Sequence, residues 1–313
     1  MLAQTKGGDA NSVIVVGAHS DSVDAGPGIN DDGSGTIGIL EVAKQLASYS
    51  VKHAVRFGWW SGEEEGLLGS TYYVEHLSPA EKKKVKLYLN FDMIASPNFE
   101  YGVFDGDGSS FNITGPKGSG DIEKLFQDYY VSKKLNWSSI EFNGRSDYDP
   151  FIQAGIPAGG VETGAEKNKT AEGVAKFGGK AGVPFDINYH LAGDNVANLN
   201  LTAFLVNSKA IAHGVATYAK SLSSVHLNGT TAEEGGEDEN EGEDEDEDEE
   251  EDEEEEDEDD DWPWRKRVVR RSLRVQPHLR GVTAPRSVKT KKSVPVNRKI
   301  MTPLRAMNQR DRM

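Results

Sequence analysis

Apolar runs alternate with segments of helical periodicity over roughly the first 222 residues of the chain. One apolar run occupies residues 12–17 (SVIVVG), and similar runs occupy 53–60 (HAVRFGWW), 85–94 (VKLYLNFDMI) and 156–161 (IPAGGV). Each run is short and rich in β-branched or aromatic residues, and turn-forming residues bound it. This pattern predicts four buried strands.

The segments between these runs have the periodicity of helices. Within residues 35–48, apolar side chains recur at three-residue intervals, which predicts an amphipathic helix. Comparable patterns predict helices over 66–77, 121–135 and 199–222, and Ser78-Pro79 opens a short one. Strands separated by helices favour a three-layer α/β/α sandwich with a mostly parallel mixed sheet.

Charge is distributed very unevenly over the 313 residues, and this changes the domain picture. Residues 233–261 hold 25 of the 52 acids and no base, whereas residues 262–313 hold 16 of the 35 bases. The sequence therefore predicts a folded domain over 1–222, an acidic disordered segment over 223–261 and a basic disordered tail over 262–313. The tail could bind nucleic acid or an acidic surface, but a solvated tail or a gene-prediction artefact is the simpler interpretation.

Composition also excludes several classes of protein. The chain has no cysteine, which excludes disulfide scaffolds, cysteine zinc fingers, iron–sulfur clusters and thiol nucleophiles. No apolar run reaches the roughly 18 residues that a membrane span requires. The first residues lack the apolar core of a secretory signal. Five glycosylation sequons are either chance or a mark of secretory ancestry; they begin at Asn112, Asn136, Asn168, Asn200 and Asn228.

Candidate metal ligands follow three of the predicted strands. His19 comes two residues after the first strand, and Asp21 is placed to accept the second imidazole proton. Asp31 and Asp32 precede the first helix in a glycine-rich turn, where capping accounts for one acid but not for both. In an open α/β sheet, ligands bind beyond the carboxyl ends of the strands, so these side chains are expected to meet.

Acids also follow the second and third strands. Glu63, Glu64 and Glu65 come directly after the Trp-Trp strand end, and Asp92 interrupts an apolar run. An acidic first helical turn would explain the glutamates, but a buried lone carboxylate such as Asp92 is costly unless it is paired or bound to metal. A divalent cation at this edge would satisfy all of them.

Two later loops add further polar candidates. Arg145 lies in the loop GRSDY, and His190 lies in NYHLAGD. The combined histidine and carboxylate ligands suit zinc without cysteine. There is one carboxylate more than a single zinc needs, which indicates two metals bridged by an aspartate.

The motifs together resemble the M28 family of zinc metallopeptidases, in particular its branch of fungal leucine aminopeptidases and aminopeptidase Y. The matching stretches are GAHSDSV, AGPGINDDGSG, RFGWWSGEEEGLLGS, LNFDMIASPN, NGRSDYDPF, GIPAGGVETGAEK and NYHLAGDN. They cover residues 4 to about 222 in order. The resemblance implies a zinc exopeptidase-like fold and hydrolysis of the N-terminal residue of peptides, with leucine or another apolar residue preferred.

The resemblance also implies a role for each matching residue. Two Zn²⁺ ions per chain would be held by His19, Asp31, Glu64, Asp92 and His190, with Asp31 bridging. Glu63 would be the general base towards a metal-bridging water, and Tyr189 would donate a hydrogen bond to the oxyanion. Arg145 would lie near the substrate backbone, and Glu63 and Asp92 would meet its free α-amine.

The sequence departs from the family pattern in three places. Relatives often flank the Tyr-His pair with two cysteines, and this chain has neither. Glu162 stands where bacterial relatives often have an aromatic residue near the specificity pocket, so it either turns outward or favours a basic or polar P1 residue. The chain is also expected to be truncated at the N-terminus. The family suggests secretion or a vacuole, although no signal peptide is evident.

Two alternatives remain open beside the di-zinc aminopeptidase. One is a one-zinc, glutaminyl-cyclase-like enzyme. The other is a catalytically impaired peptidase fold that acts as a binding protein through its charged tail.

Overall fold

The structure of the protein, a computed structural model, describes residues 1–227. Seven strands form one sheet in the order β1-β3-β2-β4-β7-β5-β6. In chain order they are β1 (Leu2–Gln4), β2 (Asp9–His19), β3 (His53–Trp60), β4 (Val85–Phe91), β5 (Gly102–Phe104), β6 (Ser138–Ile140) and β7 (Ala158–Glu162). The α-helices are α1 (Gly33–Leu46), α2 (Leu68–Glu75), α3 (Pro79–Lys84), α4 (Ser119–Ser132), α5 (Asp149–Gln153), α6 (Ala171–Phe177) and α7 (Leu201–Lys220).

The sheet is mixed but mostly parallel, as predicted. Strands β3, β2, β4 and β7 run parallel to one another, and β5 is parallel to β6. The pairs β1–β3 and β5–β7 are antiparallel. The central strand β2 is buried from Ser12 to His19, which explains its continuous apolar run.

Helices cover both faces of the sheet. On one face α7 packs against α1 and α4, where the Ile211 side chain of α7 lies close to Gly38 of α1. On the other face, Tyr73 of α2 and Phe151 of α5 pack against Trp60, and Phe151 stacks on Tyr88 at 3.8 Å. These two helical layers confirm the predicted three-layer α/β/α architecture.

The predicted elements differ from the observed ones mainly in their ends. The strand over 53–60 is reproduced without change, whereas the third strand ends at Phe91, before Asp92. The helix predicted over 66–77 begins only at Leu68, because Leu67 has a left-handed backbone. Strands β1, β5 and β6 and helices α5 and α6 were not predicted, since each is too short to show a period.

The fold extends a little beyond the domain end predicted at residue 222. Val225 is buried in the core, and the His226 backbone N–H donates to Asp121. The predicted acidic segment and basic tail otherwise lie outside the described residues, as does the proposed binding role of the tail. Within residues 1–227, no helix is long and apolar enough to cross a membrane.

Candidate metal centre

The predicted ligands meet at one edge of the sheet. Strand β2 ends at His19, Glu63 and Glu64 follow the end of β3, and Asp92 follows β4 directly. These three strands are parallel neighbours, so their carboxyl ends lie side by side. Tyr189, His190 and Arg145 come from loops between later elements and reach the same edge.

The Asp31 carboxylate stands between the two histidines. Its Oδ1 lies 3.1 Å from His19 Nε2, and its Oδ2 lies 3.1 Å from His190 Nε2. On the His19 side, Asp92 Oδ1 is 3.4 Å from the same Nε2 atom. On the other side, Glu64 Oε2 is 2.9 Å from His190 Nε2. The cluster therefore has two lobes that share one aspartate.

Within residues 1–227, several buried nitrogen and oxygen atoms of this cluster have no hydrogen-bond partner. These atoms are His19 Nε2, His190 Nε2, Asp92 Oδ1 and Glu64 Oε1. A buried polar atom without a partner is costly, and four such atoms facing one another are a set that metal ligation would satisfy. Imidazole nitrogens and carboxylate oxygens suit zinc, so the residues fit the predicted metal.

Asp32 follows Asp31 across a cis peptide bond and has a structural role. Its carboxylate accepts the backbone N–H groups of His19, Gly35 and Met93 at 2.9–3.0 Å. It thereby caps α1 and ties the ends of β2 and β4 together. Although Asp32 lies near His19 and Asp92, its oxygens are already occupied, so we assign it to the scaffold.

Asp21 connects the first histidine with the glutamate pair. Its carboxylate accepts the backbone N–H of Glu63 at 3.2 Å and of Glu64 at 3.3 Å, and its Oδ1 lies 3.6 Å from His19 Nδ1. The His19 Nδ1 atom also lies 3.2 Å from the Asp21 carbonyl oxygen. Burial opposes ionisation of Asp21, but these contacts lower its pKa to about 2. Asp21 thus orients both imidazole and glutamates.

Crowded carboxylates shift the pKa values at this edge. Burial, followed by the Asp92 charge, raises the pKa of Glu63 to about 9. Burial and then Asp31 raise the pKa of Glu64 to about 7. Burial alone would lower the pKa of His19, but Asp92 and the other acids around it raise it well above its usual value. The protein alone therefore holds protons here that a bound cation would displace.

Arg145 and Tyr189 form the outer wall of the cluster. Arg145 Nη2 donates to the Tyr189 hydroxyl at 3.0 Å, and Arg145 Nη1 lies 2.7 Å from Glu166 Oε1. The Tyr189 ring stacks on His190 with centroids 3.8 Å apart. All eight predicted site residues are therefore brought together by the fold.

The sequence motifs did not identify the residues that hold Asp92. Ser146 donates its hydroxyl to Asp92 Oδ2 at 2.7 Å and accepts Asn90 Nδ2 at 2.8 Å. The Tyr88 hydroxyl donates to Asn90 Oδ1, and Trp60 Nε1 donates to Tyr88, each at 2.9 Å. This buried chain runs from the core to a metal-ligand candidate. The motif NGRSDYDPF contains Ser146, but nothing in that motif indicates its partner.

A second supporting network holds Asp31. The Asp194 carboxylate accepts the backbone N–H of Asn30 at 2.9 Å and of Asp31 at 3.0 Å. Asn30 Nδ2 donates to Asp186 Oδ2 at 2.7 Å, and Asn198 donates to both aspartates. The loop that carries Asp31 is therefore fixed by buried carboxylates far away along the chain.

A cavity of about 250 Å³ opens beside the cluster. Its walls include the ligand candidates Asp31, Glu64 and Asp92, together with Glu63 and Tyr189. Glu162 also lines this cavity, so it does not turn outward. The remaining lining residues combine aromatic and aliphatic side chains with further acids, a mixture suited to binding one amino-acid side chain.

Comparison with known families accounts for this arrangement. The model of peptidase family M28 matches residues 1–215. The chain belongs to peptidase family M28. This M28 chain is 60% identical over 232 residues to a probable leucine aminopeptidase 2 of Aspergillus oryzae, covering 74% of this chain and 47% of the relative. It is 61% identical over 225 residues to a probable leucine aminopeptidase 2 of Aspergillus fumigatus, covering 72% and 45%.

Solved structures extend the comparison. BSAP, a zinc aminopeptidase from Bacillus subtilis, matches with a TM-score of 0.57 and 27% identity over 70% of this chain and 49% of that one. A glutaminyl cyclase from Porphyromonas gingivalis matches with a TM-score of 0.53 at 17% identity, covering 69% and 75%, which shows a shared fold only. The M28 chain spans about half the length of the curated relatives it matches.

Proposed function

We propose that this M28 chain is a di-zinc aminopeptidase that removes the N-terminal residue of peptides. The observation that carries the proposal is the position of Asp31, whose two oxygens each lie 3.1 Å from a different histidine. A carboxylate shared in this way is the usual bridge of a two-metal site. The names of its fungal relatives, leucine aminopeptidase 2, support the same reaction.

The two lobes of the cluster divide the ligands between two zinc ions. His19 and Asp92 would hold one ion, Glu64 and His190 would hold the other, and Asp31 would bind both. Bound zinc supplies a Lewis acid that activates water at neutral pH and polarises the scissile carbonyl. Asp21, Ser146 and Asp194 keep the ligands in place, so little reorganisation is needed during the reaction.

Glu63 is the candidate general base. Its carboxylate lies at the edge of the cluster, with Oε2 3.9 Å from His19 Nε2, farther away than the oxygens of Asp31 and Asp92. Glu63 therefore remains available to accept a proton from the attacking water and to return it to the leaving amine. Its backbone N–H donates to Asp21, which fixes the backbone from which the side chain extends.

Tyr189 and Arg145 are placed to stabilise the transition state. The Tyr189 hydroxyl accepts a hydrogen bond from Arg145 and keeps its own proton for a developing oxyanion. Burial and the Asp31 charge raise the pKa of Tyr189, so this hydroxyl stays protonated. Glu166 pairs with Arg145 and compensates its charge. This ion pair holds the Arg145 guanidinium in a defined orientation, in which it would face the substrate backbone.

The surplus of carboxylates explains why an exopeptidase is favoured over an endopeptidase. Glu63 and Asp92 both line the cavity beside the ligand cluster. A substrate with a free α-ammonium would be attracted to these acids, whereas an internal peptide offers no such charge. Peptides with a free N-terminus are therefore the proposed substrates, and a secreted or vacuolar location is proposed from the fungal relatives.

The proposal can be tested with the variant Glu63→Gln. Hydrolysis of leucine anilide is expected to fall by at least about a hundredfold in this variant, while metal analysis still finds two zinc ions per chain. Glu65→Gln is the matched control, because Glu65 is exposed and adjacent. Unchanged turnover in Glu63→Gln would overturn the assigned base, and one zinc per chain would favour the one-metal alternative.

A further inference from the structure

The cavity beside the ligand cluster carries more negative charge than the proposed chemistry uses. Apart from the candidate metal ligands and Glu63, its charged lining residues are four acids and two bases, Glu100, Glu141, Glu162, Glu166, Arg145 and Lys167. Arg145 and Glu166 neutralise each other across 2.7 Å. Three carboxyl groups then share the cavity with one exposed lysine, so the remaining charge is that of a site for a cation.

Glu162 is the one acid of this group that lies in a strand of the sheet. It is the last residue of β7, and the preceding Val161 is paired with Phe91 of β4. Adjacent strands lie about 4.8 Å apart, so Glu162 stands one strand away from Asp92. On its other side the paired residue is Gly102, which has no side chain to contact the carboxyl group.

The Glu162 carboxyl is partly buried and faces the cavity without a partner. Within residues 1–227, no hydrogen bond or ion pair reaches its oxygens. Burial, followed by the charges of Asp92 and Glu100, raises the pKa of Glu162 to about 8, while Lys167 and Arg145 act in the opposite direction. A ligand cation would relieve this unfavourable environment by pairing with the ionised form.

The rest of the cavity suits a long aliphatic stem. Phe111, Ile140, Tyr148 and Phe185 supply apolar surface around the acids. Lysine and arginine bury their methylene groups along such surfaces and place the charged end on a carboxylate. The volume of about 250 Å³ is below that of pockets for drug-sized ligands, which fits a single side chain.

We propose that Glu162 is a specificity-determining residue that makes this cavity a P1 pocket for cationic side chains, those of lysine and arginine. The inference rests on the aminopeptidase function proposed above and specifies its substrate class. It predicts that lysine at P1 is favoured over norleucine, which has an apolar side chain of similar length and no ammonium group.

The test compares kcat/KM for lysine anilide and norleucine anilide in the wild type and in Glu162→Gln. The lysine-to-norleucine ratio is expected to fall by at least about tenfold in the variant, because the ion pair between carboxylate and ammonium becomes a hydrogen bond to an uncharged amide. A general loss of activity in the variant would lower both kcat/KM values alike and would cancel in this ratio. Glu172→Gln is the control, since Glu172 is exposed on α6 and does not line the cavity.

A second measurement uses only the wild-type protein, so it does not depend on the folding of a variant. Free lysine should inhibit leucine anilide hydrolysis at lower concentration than free norleucine. Equal inhibition by the two amino acids, or an unchanged ratio in Glu162→Gln, would overturn the assignment and leave the aminopeptidase function intact. Failure of the wild type to cleave any anilide would instead reject the aminopeptidase function, and the P1 assignment with it.

Discussion

Ser146 donates its hydroxyl hydrogen bond to Asp92 Oδ2 over 2.7 Å and holds this carboxylate from the side opposite His19. The same hydroxyl accepts Asn90 Nδ2, so Ser146 connects the core to the candidate ligand. The bond leaves Asp92 Oδ1, which has no hydrogen-bond partner, directed towards His19. A ligand that is oriented before binding loses less conformational freedom when a metal arrives.

We predict that Ser146→Ala weakens zinc binding and peptidase activity together, each by about ten- to a hundredfold. The alanine removes the hydrogen bond to Asp92 and leaves Asn90 Nδ2 without its acceptor. Metal affinity by chelator competition and kcat/KM for leucine anilide are the measurements. Ser208→Ala is the control, because Ser208 makes a comparable 2.7 Å bond to Phe204 O on α7. Equal effects of the two variants would contradict the role of Ser146.

The positions of the candidate ligands at the strand ends could be predicted from sequence because strand direction and sheet position follow from simple patterns. The run over 53–60 is mostly apolar and ends in two tryptophans, so both its extent and the position of Glu63 after it were predicted correctly. His19 and Asp92 likewise follow buried strands. Parallel neighbours place such residues at one edge, whatever the details of the loops between them.

The residues that support the ligands could not be predicted in the same way. Ser146 is 54 positions from Asp92, and Asp194 is 163 positions from Asp31. These contacts depend on how loops close over the sheet edge, which no local period encodes. Similarly, β5 and β6 have three residues each; β5 pairs along the edge of β7, and β6 pairs along β5.

Glu123 provides a pH test away from the metal cluster. It is buried in α4, where its carboxylate accepts the backbone N–H groups of Gly106 and Asp107. Burial raises the pKa of Glu123 to about 7, although these hydrogen bonds favour the ionised form. Between about pH 4.5 and 7, the folded chain retains a proton that the unfolded chain has lost, so this group lowers stability as the pH rises.

Glu123→Gln removes this titration. The free energy of unfolding of the variant, relative to the wild type, should increase by about 1 to 3 kcal/mol between pH 4.5 and 8. Urea denaturation at several pH values measures the difference. Glu41→Gln is the control. In the wild type, a hydrogen bond from Lys44 lowers the pKa of the Glu41 carboxyl, so this group titrates below the pH window of the experiment. A flat difference for Glu123→Gln would refute the prediction.

Within residues 1–227, Lys169 is a buried cation that forms no ion pair with a carboxylate. Its Nζ donates to Phe99 O at 2.6 Å and to Gly178 O at 2.8 Å. It also lies between 5.4 and 5.9 Å from the ring centroids of Phe99, Phe177 and Phe185. The lysine therefore connects the segment around α6 with the loop before β5. Phe185, one of the three rings it contacts, also lines the cavity.

Lys169→Met should lower the free energy of unfolding by about 2 to 4 kcal/mol, because two carbonyl groups lose their donor and three rings lose a cation. Chemical denaturation is the measurement. Lys133→Met is the matched control, since Lys133 is exposed and lies 5.5 Å from the Tyr129 ring centroid. A loss below about 0.5 kcal/mol, the range of ordinary surface substitutions, would show that the lysine is dispensable.

Among the candidate ligands, Asp31 should contribute most to the stabilisation of the fold by bound zinc. A ligand that binds only the folded state stabilises it by about 4 kcal/mol at a thousandfold excess over its Kd. Added zinc is therefore expected to raise the Tm of the chelator-treated wild type. Asp31→Asn should abolish most of this rise, because Asp31 is the ligand that both lobes share. Asp24→Asn, an exposed change in the same loop, should keep it. A full zinc response in Asp31→Asn would show that the two lobes bind metal independently and that the carboxylate between the histidines is not a bridge.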